Sequence, residues 1–389
     1  MNKSVVRVFV FSIIVVLIGV LYFEIVLPFL NLMNNEVKSQ GNHGPIVDNN
    51  GVFDKDFFPN RTADATPSTP KPGEQGTFHE VEAVRELALD KGAKNILLLG
   101  FDENSYLVDT IIVLSINTST KVIKMVSLPR DTFVPYSDEV VQAIINHKPD
   151  GRNSYFTAKG AFKLNAVPYV GDFVVNTGSG KFENQGINLL CTTVSQLMGA
   201  SYNYKIDDYI RINFEGFMEI VDILGGITVT VPQNFYNEKG ELMLAEGKQT
   251  LNAKQALYYV RVRYLYDEHG NHVESSGDYF RKVNQLNLLM EISKQIITPD
   301  NILNANSILN SLTSNVKHSI AFSDLSEYLK IAQEFLGDTY SIEPYLLTGD
   351  AIDPFHDDAS YVDIAFVGEE KINALVRRWQ ALARSSGVL

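Results

Sequence analysis

KNILLLG (94–100), DTIIVLSIN (109–117) and KVIKMVSL (121–128) decide how this chain is read. The first is a short apolar run stopped by Gly100, the pattern of a buried strand. The second and third are rich in β-branched residues and are separated by TST, which predicts a hairpin. Downstream, Asn184–Met198 reads as a helix closed by Gly199, and YKIDDYIRIN (204–213) alternates as a strand does. Phe214, Phe217, Val221 and Leu224 recur at helical spacing until Gly225-Gly226 stop them, and ITVTV (227–231) follows as a strand. Asn252–Tyr259, Gly277–Thr298, Ile302–Leu312 and Asp324–Phe335 read as helices. The expected fold class is α/β, with a mixed, partly antiparallel central sheet between helical layers.

Upstream the character changes. Residues 8–33, VFVFSIIVVLIGVLYFEIVLPFLNLM, are apolar over roughly the 20 residues that a membrane-spanning helix needs. Lys3 and Arg7 keep the short tail 1–7 on the cytoplasmic side. With no small-x-small cleavage site before Asn34, the segment reads as an uncleaved signal anchor that exports the rest of the chain. Residues 34–82 carry Pro45, Pro59, Pro67, Pro70 and Pro72 among polar residues, the composition of a linker or stalk. VFDKDFF (52–58) is a candidate docking element within it.

Composition excludes several classes. A hydrophobic fraction of 45% and an aromatic fraction of 11% are those of a protein with a real core. The net charge is −13 and no long basic run occurs, so nucleic acid is not an expected ligand. The single cysteine, Cys191 in INLLCTTVSQLM, cannot form an internal disulfide and reads as a buried small hydrophobe.

Two charged clusters remain. Upstream are Asp102, Asp109 and Arg130, each at the end of an expected strand. Asp102 alone reads as a turn residue, and Arg130 beside Asp131 reads alone as a surface pair. Asp109 is stronger, because a charge at the edge of a buried strand needs a partner or a cation. Downstream are Arg261 and Arg263, expected on one face of an extended segment, then Asp278, Arg281 and Gln285 on one helix face. Lys163 and Asn165 in FKLNAV are candidates for the rim. Carboxylates hold a hard cation and guanidiniums fork onto phosphate oxygens, so the set suits a metal–diphosphate complex. His269 and His272, in YLYDEHGNHVESSG, read as part of a polar hairpin tip and not as a metal site.

From about Lys94 to Ala332 the chain resembles the LytR–CpsA–Psr (LCP) family of envelope phosphotransferases. The segments that carry the resemblance are NILLLGFD, VDTIIVLSIN, VSLPRDTFV, KLNAV, YIRINFEGFMEIVDILGGITVTVP, LNAKQALYYVRVR and GDYFRKVNQ. It implies a catalytic domain over 83–340, completed by 341–389, with the α/β/α layering of that family. The implied activity moves a glycopolymer, of teichoic acid or capsular polysaccharide type, from a polyprenyl (undecaprenyl) diphosphate carrier to peptidoglycan. Mg2+ or Mn2+ on Asp102 and Asp109 would neutralise the diphosphate. Arg130, Lys163, Arg261, Arg263 and Arg281 would clamp it, Asp278 and Gln285 would assist, and an aspartate would act as base. Phe214, Phe217, Val221 and Leu224 are implied walls of a lipid pocket, although their spacing reads equally well as plain core. The resemblance places the protein at the cell membrane of a Gram-positive-type bacterium, with the catalytic domain outside. Two departures stand out: Leu107-Val108 replace the family's Arg-Ser before Asp109, and Asn284-Gln285 replace its Arg-Gln. They keep two alternatives open, a lipid-diphosphate-binding regulatory protein and a diphosphatase with little transferase activity.

Overall fold

The computed structural model describes residues 53–54, 71–72, 79–81, 92–101, 107–147, 160–175, 182, 185–199, 205–273, 277–295, 315–320, 331, 340–347, 351–352, 361–362 and 369–385. In chain order its elements are β1 (Lys71–Pro72), β2 (His79–Val81), β3 (Lys94–Phe101), β4 (Val108–Asn117), β5 (Val122–Ser127) and α1 (Asp138–Asn146). Short helical turns fill 160–174. Then come α2 (Gln185–Gly199), β6 (Asp208–Asn213), α3 (Phe214–Ile223), β7 (Ile227–Val231), β8 (Phe235–Tyr236), β9 (Leu242–Leu244) and β10 (Gly247–Leu251). The chain continues through α4 (Ala253–Arg261), α5 (Asp278–Gln295), β11 (Val316–His318), β12 (Ser341–Leu347), β13 (Ala351–Ile352), β14 (Tyr361–Val362) and α6 (Glu369–Ser385). The helix expected at 302–312 and the apolar span 8–33 lie outside the described residues, as does the helix expected at 324–335 apart from Ile331; no described helix is long and apolar enough to cross a membrane.

The described residues within Lys38–Ile210 and Ile342–Leu389 form one compact unit, and those within Arg211–Ser341 form another. The first is built on the expected hairpin. β4 pairs antiparallel with β5, and β3 pairs antiparallel with β4 on its other side. The turn between β4 and β5 closes because Asn117 Oδ1 accepts from the backbone N–H groups of Ser119 (2.9 Å) and Thr120 (3.0 Å). Lys121 completes it in the left-handed region, with φ of 60°. The unit's strands run in the order β1-β2-β12-β5-β4-β3-β6. Because β12 is parallel to β2, the sheet is mixed. β1 and β2 fall inside the stretch whose composition reads as linker. Edge pairing uses backbone groups alone, so a polar, proline-bearing sequence hides it.

The core of this unit takes Leu97, Leu99, Val113 and Val126 from the strands and Leu189 and Val194 from α2, with Cys191 buried among them. α6 closes it. Trp379 is 1% exposed and packs against Phe162 (centroids 4.5 Å apart) and Phe133 (5.4 Å). The neighbouring Arg378 pairs with Asp54 and with Asp138 (2.7 Å). Phe53 is buried against Tyr136, and Asp54 N–H donates to Pro135 O (2.9 Å), so this part of VFDKDFF docks.

The second unit has a separate core of Val221, Val229, Val231, Leu251, Tyr259 and Phe280. Asn213 caps α3 by accepting from Gly216 N–H (2.8 Å), and Gly225 and Gly226, at φ of 74° and 95°, end it. β7 and β10 pair antiparallel. A reciprocal capping box between Asn252 and Gln255 starts α4.

Replacing Trp379 by Ala removes the largest fully buried side chain of the first unit. The expected loss is about 3–5 kcal/mol of that unit's stability, measured by urea unfolding followed by circular dichroism. A variant that unfolds at the wild-type urea concentration contradicts this packing.

Candidate active site

The register of β3 against β4 pairs Gly100 with Thr110 and then Phe101 with Val108, stepping over Asp109. Asp109 is therefore the extra residue of a β-bulge. Gly100 eases the close approach: a Cβ there would lie 3.0 Å from Thr110 Cβ, a tight contact that Thr110 would have to yield to by a few tenths of an ångström. Val108 and Ile111 on either side are buried, whereas the Asp109 side chain is 30% exposed.

Arg130 reaches it from the next strand end. The PRDT turn after β5 closes when Thr132 donates to Pro129 O through both N–H (3.1 Å) and Oγ1 (2.6 Å). That leaves Arg130 Nη1 donating to Asp109 Oδ1 at 2.6 Å. Arg130 Nε lies 3.5 Å from Asp131 Oδ2, and Lys163 Nζ lies 3.0 Å from Asp131 Oδ1. The result is a row Asp109–Arg130–Asp131–Lys163 of alternating charge. The sequence pairs Arg130 with Asp131; the structure gives its short contact to Asp109 instead, 21 residues earlier. Asp131 is a member that the sequence does not single out, since adjacency to Arg130 says nothing about Lys163. Asn165 is buried and its N–H donates to Arg130 O (2.9 Å), which ties the KLNA turn to the PRDT turn. These side chains are partly solvated, so each pair contributes at most about 1 kcal/mol of stability. Their consequence is orientation. Asp102 lies outside the described residues. Among the described residues no group of three or more His, Cys, Asp or Glu is placed to hold a metal.

The second cluster belongs to the second unit. Arg261 is not in an extended segment, as its alternation with Arg263 predicts: α4 runs through Arg261, and Val262 (φ −61°, ψ 128°) is where the chain turns out. The two arginines therefore do not share a strand face. Arg261 is exposed, with its guanidinium carbon 4.2 Å from the Phe214 ring centroid. Such a contact contributes about 0.5–1 kcal/mol at an exposed site. Arg263 is half-buried and Arg281 is 5% exposed. Asp278 opens α5. Gln285 Nε2 donates to Val260 O (3.1 Å), and Asn284 Nδ2 donates to Tyr259 O (3.0 Å). Of the suggested lipid-wall residues, Val221 is buried core, Phe217 and Leu224 pack on that core, and Phe214 lies beneath Arg261. His269 sits in a tip where Asp267 Oδ1 accepts from His269 N–H and Asn271 N–H, both at 2.8 Å. Bonding from Asn271 holds that carboxyl below its usual range.

An LCP-type model, described as the LytR_cpsA_psr family, matches residues 60–374. The chain belongs to this family. Within it, the chain is 31% identical over 249 residues to the polyisoprenyl-teichoic acid–peptidoglycan teichoic acid transferase TagU of Oceanobacillus iheyensis, covering 63% of this chain and 65% of that one. It is 27% identical over 253 residues to the biofilm regulatory protein A of Streptococcus mutans, covering 61% of this chain and 53% of that one. The chain thus spans about two thirds of one relative's length and about half of the other's. Among solved structures, TagT bound to LI-WTA aligns at 20% identity with a TM-score of 0.47, over 82% of this chain and 99% of that chain.

Tyr259, two residues before Arg261, gives a handle on α4. Burial pushes its phenol up to about 12, the Glu291 carboxylate adds to the rise and the Asn287 side chain opposes it. In the unfolded chain the phenol titrates near 10.0. The folded state therefore keeps its proton longer, and stability present below pH 10 falls as pH rises from there towards 12. Urea unfolding across that range should show the decline, and Tyr259→Phe should flatten it. An unchanged slope in the variant removes Tyr259 as the cause.

Proposed function

We propose that this chain is an extracytoplasmic phosphotransferase that moves a glycopolymer from a polyprenyl diphosphate carrier to peptidoglycan, anchored in the membrane by residues 8–33. The observation that carries the reading is Asp109, set out of register by a bulge and bonded at 2.6 Å to Arg130. A carboxylate held beside a guanidinium at an open strand end can serve both a hard cation and a phosphate oxygen. The transferase name of the Oceanobacillus relative supports the same chemistry.

In this reading the acceptor sugar hydroxyl forms a bond to the phosphorus that carries the glycopolymer. The bond from that phosphorus to the bridging oxygen breaks, polyprenyl phosphate leaves, and the hydroxyl proton passes to an aspartate. Arg130 and Lys163 in the first unit are assigned to phosphate oxygens; in the second unit Arg261, Arg263 and Arg281 are assigned to them, with Asp278 and Gln285 assisting. The donor set fits magnesium (or manganese), which is held through one or two carboxylates and completed by phosphate oxygens and water. Asp102 and Asp109 would hold it, and bound there it would neutralise charge developing on the diphosphate. Phe214, Phe217, Val221 and Leu224 are a weaker assignment to the lipid chain, because three of them already serve the unit's own core.

Purified full-length protein, given a polyprenyl-diphosphate-linked saccharide, peptidoglycan fragments and magnesium, should join saccharide to fragments. Arg261→Ala should slow this by roughly a hundredfold, and chelation of the metal should stop it. Release of polyprenyl phosphate without joining points to a diphosphatase, and lipid binding without turnover points to a regulatory protein.

A further inference from the structure

The C-terminal turn of α4 poses a local problem. Val262 N–H donates to Tyr258 O (2.9 Å), and there the chain leaves the helix. The following carbonyls lose their helical donors. Tyr259 is fully buried, so its carbonyl has no easy recourse to solvent. Two consecutive side chains of α5 answer it: Asn284 Nδ2 donates to Tyr259 O at 3.0 Å and Gln285 Nε2 donates to Val260 O at 3.1 Å. Asn284 is itself only 1% exposed, so this is a buried amide–carbonyl bond whose loss leaves a desolvated acceptor behind.

We propose that Asn284, acting with Gln285, is a positioning residue that ends α4 at Arg261 and so aims both Arg261 and Arg263. The inference rests on the reading above in which these arginines bind the diphosphate. Among the described residues, exposed Arg261 is held by the weak contact with the Phe214 ring. Its direction is therefore set by where the helix stops. Without the amide pair the last turn frays or tightens, Arg261 leaves the Phe214 face, and Arg263, two residues on, swings with it. The same geometry recasts the Asn284 departure from the family's basic residue. The side chain is turned inward onto Tyr259 O, where it supplies the N–H donor that the carbonyl takes.

The test uses the full-length protein and inorganic diphosphate with magnesium as probe, with affinity read by calorimetry. Backbone hydrogen exchange over 262–265 reports the turn directly. Asn284→Leu keeps the branched shape, at a somewhat larger volume, and removes the donor. It should weaken diphosphate binding about tenfold, speed exchange over 262–265, and add nothing further in an Arg261→Ala, Arg263→Ala background. Should Asn284→Leu fail to fold, Asn284→Ala removes the donor without adding bulk and is read in the same way. A lower melting temperature with unchanged diphosphate affinity overturns the proposal, as does a loss that adds fully to that of the arginine variants. If the arginine variants themselves bind diphosphate normally, the reading beneath the proposal fails, and the two failures are told apart by that control.

Discussion

A one-residue slip between β3 and β4 sets the geometry of the charged row in the first unit. In a regular ladder, side chains alternate strictly between faces, and a carboxylate between Val108 and Thr110 would be fixed by the burial of its neighbours. The bulge frees Asp109 from that alternation while Val108 and Ile111 stay in the core. Gly100 keeps the paired Thr110 free of a tight Cβ contact at the slip. Because β4 and β5 run antiparallel, the start of one and the end of the other lie at the same edge, which brings the PRDT turn to Asp109. Arg130, Asp131 and Lys163 then fall into a row in which each side chain lies beside one of opposite charge.

Stability and the placement of the charged side chains rest on different interactions. The two apolar cores supply the free energy, through residues such as Leu97, Val113 and Trp379 in one unit and Val221 and Phe235 in the other. The charged row is partly solvated and contributes little to folding, so its geometry is preserved by the turns beneath it. The second unit follows the same division. Its exposed Arg261 is placed by a helix end, and that helix end is placed by amides of α5 reaching backbone carbonyls.

The sequence alone determined the hairpin, the helix of 214–223 with its glycine stop, and the candidate charged residues. Each of these is written in local patterns: period-2 alternation, i, i+3 and i+4 spacing, and glycines that tolerate positive φ. The ordered motifs also carried the family, because seven short segments in one order are far more specific than any one of them. Tertiary structure decided the rest. Which carboxylate Arg130 meets depends on strand register, and register depends on backbone pairing across the sheet. The end of α4 at Arg261 depends on donors 25 residues away, which no local pattern around YVRVRY contains. The strands at 71–72 and 79–81 depend on the partner β12, more than 250 residues later, which supplies the hydrogen bonds that a proline-bearing stretch cannot advertise in its side chains.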